Sequence, residues 1–107
     1  MTIKRIWHGW TTPENADAYE NLLYRSVFPE IEAKKISGYR GIELLRRKIP
    51  GEVEFITIMK FDSIDNIIEF QGEDYQRCYV PAEAQKLLKR WDKVSAHYEI
   101  RDTRNYG

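Results

Sequence analysis

The stretch Val53-Glu54-Phe55-Ile56-Thr57-Ile58-Met59-Lys60-Phe61 constrains the fold of this 107-residue chain more than any other. A period of two puts Val53, Phe55, Thr57, Met59 and Phe61 on one side of a strand, with Ile56 and Ile58 on the other. A strand that is apolar on both sides needs cover on both sides. Just upstream, Ile49-Pro50-Gly51-Glu52 has the proline-glycine pair of a type II turn. Residues 39–48 are therefore predicted to run antiparallel to residues 53–61 as a hairpin.

The remaining elements follow from periodicity and punctuation. Residues 3–10 read as a strand, with Ile3 and Trp7 on one face and Ile6, His8 and Trp10 on the other. Thr11 or Thr12 is expected to cap the next helix, with Pro13 in its first turn and Glu14 closing a capping box with Thr11. Tyr19, Leu22, Leu23, Val27 and Ile31 share one face of that helix. Pro29 has no N–H for the carbonyl of Arg25, which predicts a kink or a short second helix there, and Ser37-Gly38 ends the segment.

After the hairpin, Asp62-Ser63 predicts a helix cap, Ile64, Ile67 and Ile68 a buried side, and Gly72 the stop. Pro81 opens another helix, in which Ala84, Leu87, Leu88 and Trp91 follow an i, i+3, i+4, i+7 pattern. Val94, Ala96, Tyr98 and Ile100 alternate in a last strand. The order β-α-β-β-α-β predicts one α+β domain over residues 1–107, ferredoxin-like, with helices on one face of a four-stranded antiparallel sheet. Helices on one face leave the other apolar row of the third strand uncovered, so a homodimer that packs sheet against sheet is expected.

Charge narrows the partners. Seventeen Lys and Arg balance seventeen Asp and Glu. Residues 13–33 and 52–74 are net acidic, while residues 34–48 and 77–107 are net basic, an alternation that fits solvated faces. No net positive field is present to hold a nucleic acid or an acidic membrane. RNA-recognition domains place a basic residue early in the third strand, where this chain has Glu54. No apolar run approaches the ~20 residues of a membrane span, and no secretory leader is expected. A single cysteine, Cys78, suits a reducing cytoplasm and lacks a partner motif for nucleophilic or metal chemistry. Two distant histidines predict no metal site, and no phosphate-binding glycine loop is present.

His8 and His97 are the only histidines, and the topology puts them on neighbouring strands. They can face one pocket and move a proton near neutral pH, or be structural. Trp7, Trp10, Tyr75, Tyr79 and Trp91 can line an aromatic pocket between sheet and helices, although Trp7 and Trp91 also suit a core. Tyr75 and Tyr79 belong to the polar connection of residues 72–79, where function often resides. Arg46-Arg47-Lys48 can bind an anion or guard a sheet edge.

Trp7-His8-Gly9, Pro29, Gly38-Tyr39-Arg40-Gly41, Phe61-Asp62-Ser63 and His97-Tyr98-Glu99 together resemble the antibiotic biosynthesis monooxygenase family of the dimeric α/β-barrel superfamily. The resemblance runs from Ile3 to Arg101 and implies a homodimer with an aromatic pocket in each subunit. Better-characterised relatives include cofactor-independent oxygenases of polycyclic phenols and anthrone-like substrates, and haem-degrading enzymes. Both commonly carry a Trp where this chain has Phe61, and the haem degraders a helical His near Phe70, so the departures count against haem degradation. The resemblance implies oxygenation of a small phenolic or quinol-like molecule without metal or flavin. His97 or His8 would handle the proton, Tyr75 would donate to the substrate oxygen, and Trp7 and Phe61 would be pocket walls. A non-catalytic small-molecule binder of the same fold is the alternative, and an isomerase or lyase the third.

Overall fold

A computed structural model describes residues 2–107. The chain runs β1 (Ile3–Thr11), α1 (Ala16–Leu22), a π-helical turn (Leu23–Val27), α2 (Phe28–Ala33), β2 (Tyr39–Ile49), β3 (Glu52–Phe61), α3 (Ile64–Gln71), α4 (Ala82–Leu87), β4 (Leu88–Trp91) and β5 (Ala96–Glu99). All strand pairs are antiparallel. The sheet order is β2-β3-β1-β4, with β5 on the same edge of β1 as β4. This is the expected ferredoxin-like α+β arrangement, with its fourth row made of two strands rather than one.

Several local expectations hold. Ile49 pairs with Glu52 across the turn, and Gly51 has the positive φ of 74° that its second central position requires. The Ser63 side chain caps α3 by accepting from the Asn66 backbone N–H, and Gly72, at φ 99°, ends that helix. Near Pro29 the first helical region widens instead of breaking: Phe28 N–H reaches back five residues to the Leu23 carbonyl. The wider turn accommodates a proline whose ring would crowd the carbonyl of Arg25 in a regular helix.

Three expectations are corrected. Thr11 is the last residue of β1, fully buried, and its hydroxyl donates to the Leu87 carbonyl, so it caps nothing. Thr12 accepts from Asn15 N–H in the turn before α1, and Asn15 is the N-cap. Leu88 and Trp91 are not helical. β4 pairs Leu88 with Thr11, Arg90 with Trp10 and Trp91 with Gly9, with a register irregularity between the first two pairs. The bulge turns Leu88 and Trp91 to the same side of the sheet, and a three-residue repeat results that imitates a helix.

Both apolar rows of β3 are real. The helix-covered side holds Val53, Phe55, Met59 and Phe61, all buried. Ile6, Ile56 and Ile58, half-buried, and Leu45, exposed, lie on the open side. Under the helices the core falls into two clusters. One joins Tyr19, Leu22, Leu23 and Phe55 to Val80, Ala84 and Leu88, and the other joins Ile3, Met59, Phe61 and Ile67.

Candidate functional site

A cavity of about 110 Å³ lies where the two core clusters meet, with walls from both: Tyr19, Leu23 and Ala84 on one side, Ile42, Met59 and Phe70 on the other. Its floor is the helix side of the sheet, where β1 contributes Arg5 and Trp7 and β3 contributes Thr57. Gly9 lets the Trp7 ring lie flat on β1, because a Cβ there would come within 2.6 Å of that ring. The Trp7 indole N–H donates to the Asp92 carbonyl, which fixes its edge. The π-helical turn adds Leu23 and Val27, and α2 adds Phe28 and Ile31. Cys78, Tyr79 and Val80 close the side nearest α4, and Tyr79, 77% exposed, stands at the mouth.

The connection carrying Cys78 is tied to the sheet edge. Between β4 and β5 the chain bulges outward, and Asp92 holds it by donating its N–H to the His8 carbonyl. Beyond the bulge, Arg77 pairs with Val94, Cys78 N–H donates to Lys93, and Ser95 N–H donates to Gln76. The Cys78 Sγ lies 2.8 Å from the Ser95 Oγ, and burial pushes its thiol pKa up, which disfavours the reactive thiolate.

Arg5 is the polar centre of the floor. It is 5% exposed, in the inward row between Ile3 and Trp7. Its guanidinium donates to the carbonyls of Tyr75 and, at 3.5 Å, Arg77, and to His97 Nε2 at 2.9 Å. A guanidinium cannot accept, so His97 Nε2 carries the lone pair and Nδ1 the proton. Burial first, and the Arg5 charge second, lower the His97 pKa to about 4. Tyr19, 2% exposed, meets the Phe55 ring edge-on at 4.9 Å, and burial pushes its phenol pKa up.

The structure separates the residues singled out in the sequence. His97 pairs across from Arg5 and so shares the helix side of the sheet, whereas His8 points to the open side. The two histidines do not face one cavity. His8 Nδ1 lies 2.9 Å from Asp92 Oδ2, and its ring stacks with Trp10, over which Arg90 sits at 4.0 Å. Trp7 and Tyr79 line the cavity. Trp10 is on the open face, Phe61 is sealed in the second core cluster, and Trp91 packs against the first. The Tyr75 ring packs edge-on against His97 at 5.1 Å, outside the cavity wall. Arg46 pairs with Asp17 and Glu20, and Arg47 with Glu54, so both arginines of that basic run are engaged in ion pairs.

Arg5 is not among the residues the sequence singles out, and Tyr19 is expected only on the buried face of its helix. A signal existed for the first: a charged residue in the inward-facing row of a strand, between Ile3 and Trp7. Among the described residues no group of three His, Cys, Asp or Glu side chains is placed to hold a metal ion, and no helix is long and apolar enough to cross a membrane.

No protein-family model and no curated protein sequence matches the chain. Solved structures do. A candidate antibiotic biosynthesis monooxygenase from Bacillus cereus superposes with a TM-score of 0.70 at 10% identity, covering 98% of each chain. The cofactor-independent oxygenase SnoaB from Streptomyces nogalater superposes with a TM-score of 0.58 at 16% identity, covering 95% of each. A dimeric ferredoxin-like protein from an uncultured marine organism gives 0.63 at 8%, over 97% of this chain and 92% of that one. At these identities the likeness is one of fold, and at that level the resemblance to antibiotic biosynthesis monooxygenase-like proteins holds.

Proposed function

We propose, on the fold shared with a cofactor-independent oxygenase and on the apolar cavity between sheet and helices, that the protein oxygenates a small phenol-type molecule. The cavity carries the reading. At about 110 Å³ it is of the order of the ~150 Å³ apolar cavity that holds one benzene ring, so a single-ring substrate fits better than a polycyclic one. Dioxygen is the oxidant. A phenol and O2 give a para-quinone and water: the para ring carbon takes one oxygen atom, and its hydrogen and the phenol's O–H hydrogen leave with the other as water. The substrate supplies all the electrons, and the protein's part is to hold the ring and exclude bulk water.

Of the residues expected to act, Trp7 and Tyr79 serve as ring walls, while His97 and the Tyr75 carbonyl hold Arg5 in place. The open face of the sheet, with Ile6, Leu45, Ile56 and Ile58 uncovered, fits a second copy of the chain, and one neighbour of the same fold is a dimeric ferredoxin-like protein. One free thiol, Cys78, suits a cytoplasmic setting.

Oxygen uptake with single-ring phenols tests the reaction: one O2 is consumed per quinone formed, and one labelled oxygen from 18O2 enters the quinone. The second reading, a non-catalytic binder, is favoured by one observation: no histidine or carboxylate lines the cavity. Ligand binding without oxygen uptake above a buffer control establishes that reading instead.

A further inference from the structure

Arg5 poses a problem that the ring-binding reading leaves open. A cation that is 5% exposed ordinarily has a carboxylate beside it, because burying an uncompensated charge is costly. Arg5 has none: among the described residues no ion pair includes it, and its acceptors are two carbonyls and a neutral imidazole. These take three of the five N–H donors of a guanidinium, one of them at the long distance of 3.5 Å. Neither Asp nor Glu is among the cavity's lining residues.

Tyr19 is a second, independent observation. It comes from α1 rather than the sheet and is 98% buried, and its hydroxyl has no hydrogen-bond partner among the described residues. It lines the same cavity as Arg5. Among the described residues no fully buried side-chain oxygen or nitrogen lacks a partner, so this hydroxyl keeps access to the cavity, whose other walls are mostly apolar.

We infer that the cavity selects an anion: a single aromatic ring bearing an oxyanion, whose charge is met by Arg5 and which accepts a hydrogen bond from Tyr19. The ring fills the apolar part between Trp7, Met59 and Phe70, and the oxyanion supplies the counter-charge that the fold withholds from Arg5. This rests on the reading of the cavity as a small-molecule site and does not require that the protein be an oxygenase. A phenolate and an aromatic carboxylate share the chemistry. Arg5 accounts for selection of either, since a guanidinium forms strong charge-assisted bonds to both.

Calorimetric titration of the full-length protein with benzoate, with its neutral counterpart benzamide, and with 4-nitrophenol on both sides of its own ionisation tests the inference. Benzoate is expected to bind roughly tenfold or more tightly than benzamide, and 4-nitrophenol is expected to bind better as the anion. Arg5→Met should remove that preference and leave benzamide affinity within about threefold. Because Arg5 also ties down the connection at Tyr75 and Arg77, Tyr19→Phe is the companion variant. It removes only a hydroxyl with no protein partner, and should weaken benzoate by roughly fivefold while sparing benzamide.

Tighter binding of the phenolate or of the carboxylate identifies the source of the oxyanion, and either order supports the inference. Equal affinity for benzoate and benzamide in the wild type overturns it while leaving the cavity a small-molecule site. No binding of any probe at millimolar concentration overturns it together with the site. Intact anion preference without oxygen uptake supports it and removes only the oxygenase reading.

Discussion

The two faces of the sheet carry the same kinds of residue and use them differently. On the helix side His97 lies 2.9 Å from a buried cation, is held in one tautomer and stays neutral down to about pH 4. On the open side His8 lies 2.9 Å from a carboxylate, stacked on Trp10 and about one-third exposed. Residue type therefore says little about a histidine's task in a sheet. The face it occupies and the charge beside it decide whether it can move a proton or only accept a hydrogen bond.

The sharpest way to break this contrast is to remove one apolar side chain from each face of β3. Phe55→Ala empties a fully buried position under the helices and should cost about 3–5 kcal/mol in urea unfolding. Ile56→Ala, half-buried on the open side, should cost far less at low protein concentration, and more as concentration rises if a second copy covers it. The double substitution Leu45→Asp with Ile58→Asp puts two charges on that face. Light scattering should then give a mass near 12.8 kDa, against about twice that for the wild type; unchanged masses would remove the sheet-to-sheet dimer.

A smaller effect comes from pH. Because His97 titrates near 4 when folded and near 6.5 when unfolded, the unfolded chain binds more protons between those values. Its contribution is fully present above pH 6.5 and is lost as the pH falls toward 4. His97→Gln, which can still accept from Arg5, should flatten the decline in melting temperature over that window, and an unaltered slope would contradict the neutral imidazole. The smallest effect is expected on the open side. His8→Ala breaks a pair whose side chains are 34% and 37% exposed and should change stability by no more than about 1 kcal/mol.

Much of the fold was legible because short-range chemistry dictates it. The Pro50-Gly51 turn, the Ser63 cap, the Gly72 stop and the alternation in β3 each depend on neighbouring residues. Leu88 to Trp91 was misread because a bulge gave a strand the spacing of a helix, and a bulge is set by a partner strand far away in sequence. The cavity was harder to see. Trp7 and Tyr79 could be picked by residue type, but Trp10 and Phe61 differ from them only in the face and the cluster they join. Arg5 became visible as a ligand group only once its neighbours showed that no acidic side chain answers its charge.

The π-helical turn at Leu23–Val27 has one more consequence. An α-helix advances roughly 100° per residue, so the extra residue in this turn rotates everything after it relative to α1. Phe28 and Ile31 reach the cavity wall because of that offset. Loss of a single residue from the turn would swing a different row of α2 toward the sheet and redraw the lining in one step, with every strand register left as it is. The turn is thus a phase adjuster through which a length change in a helix, without any change to the sheet, can alter which molecule the chain accepts.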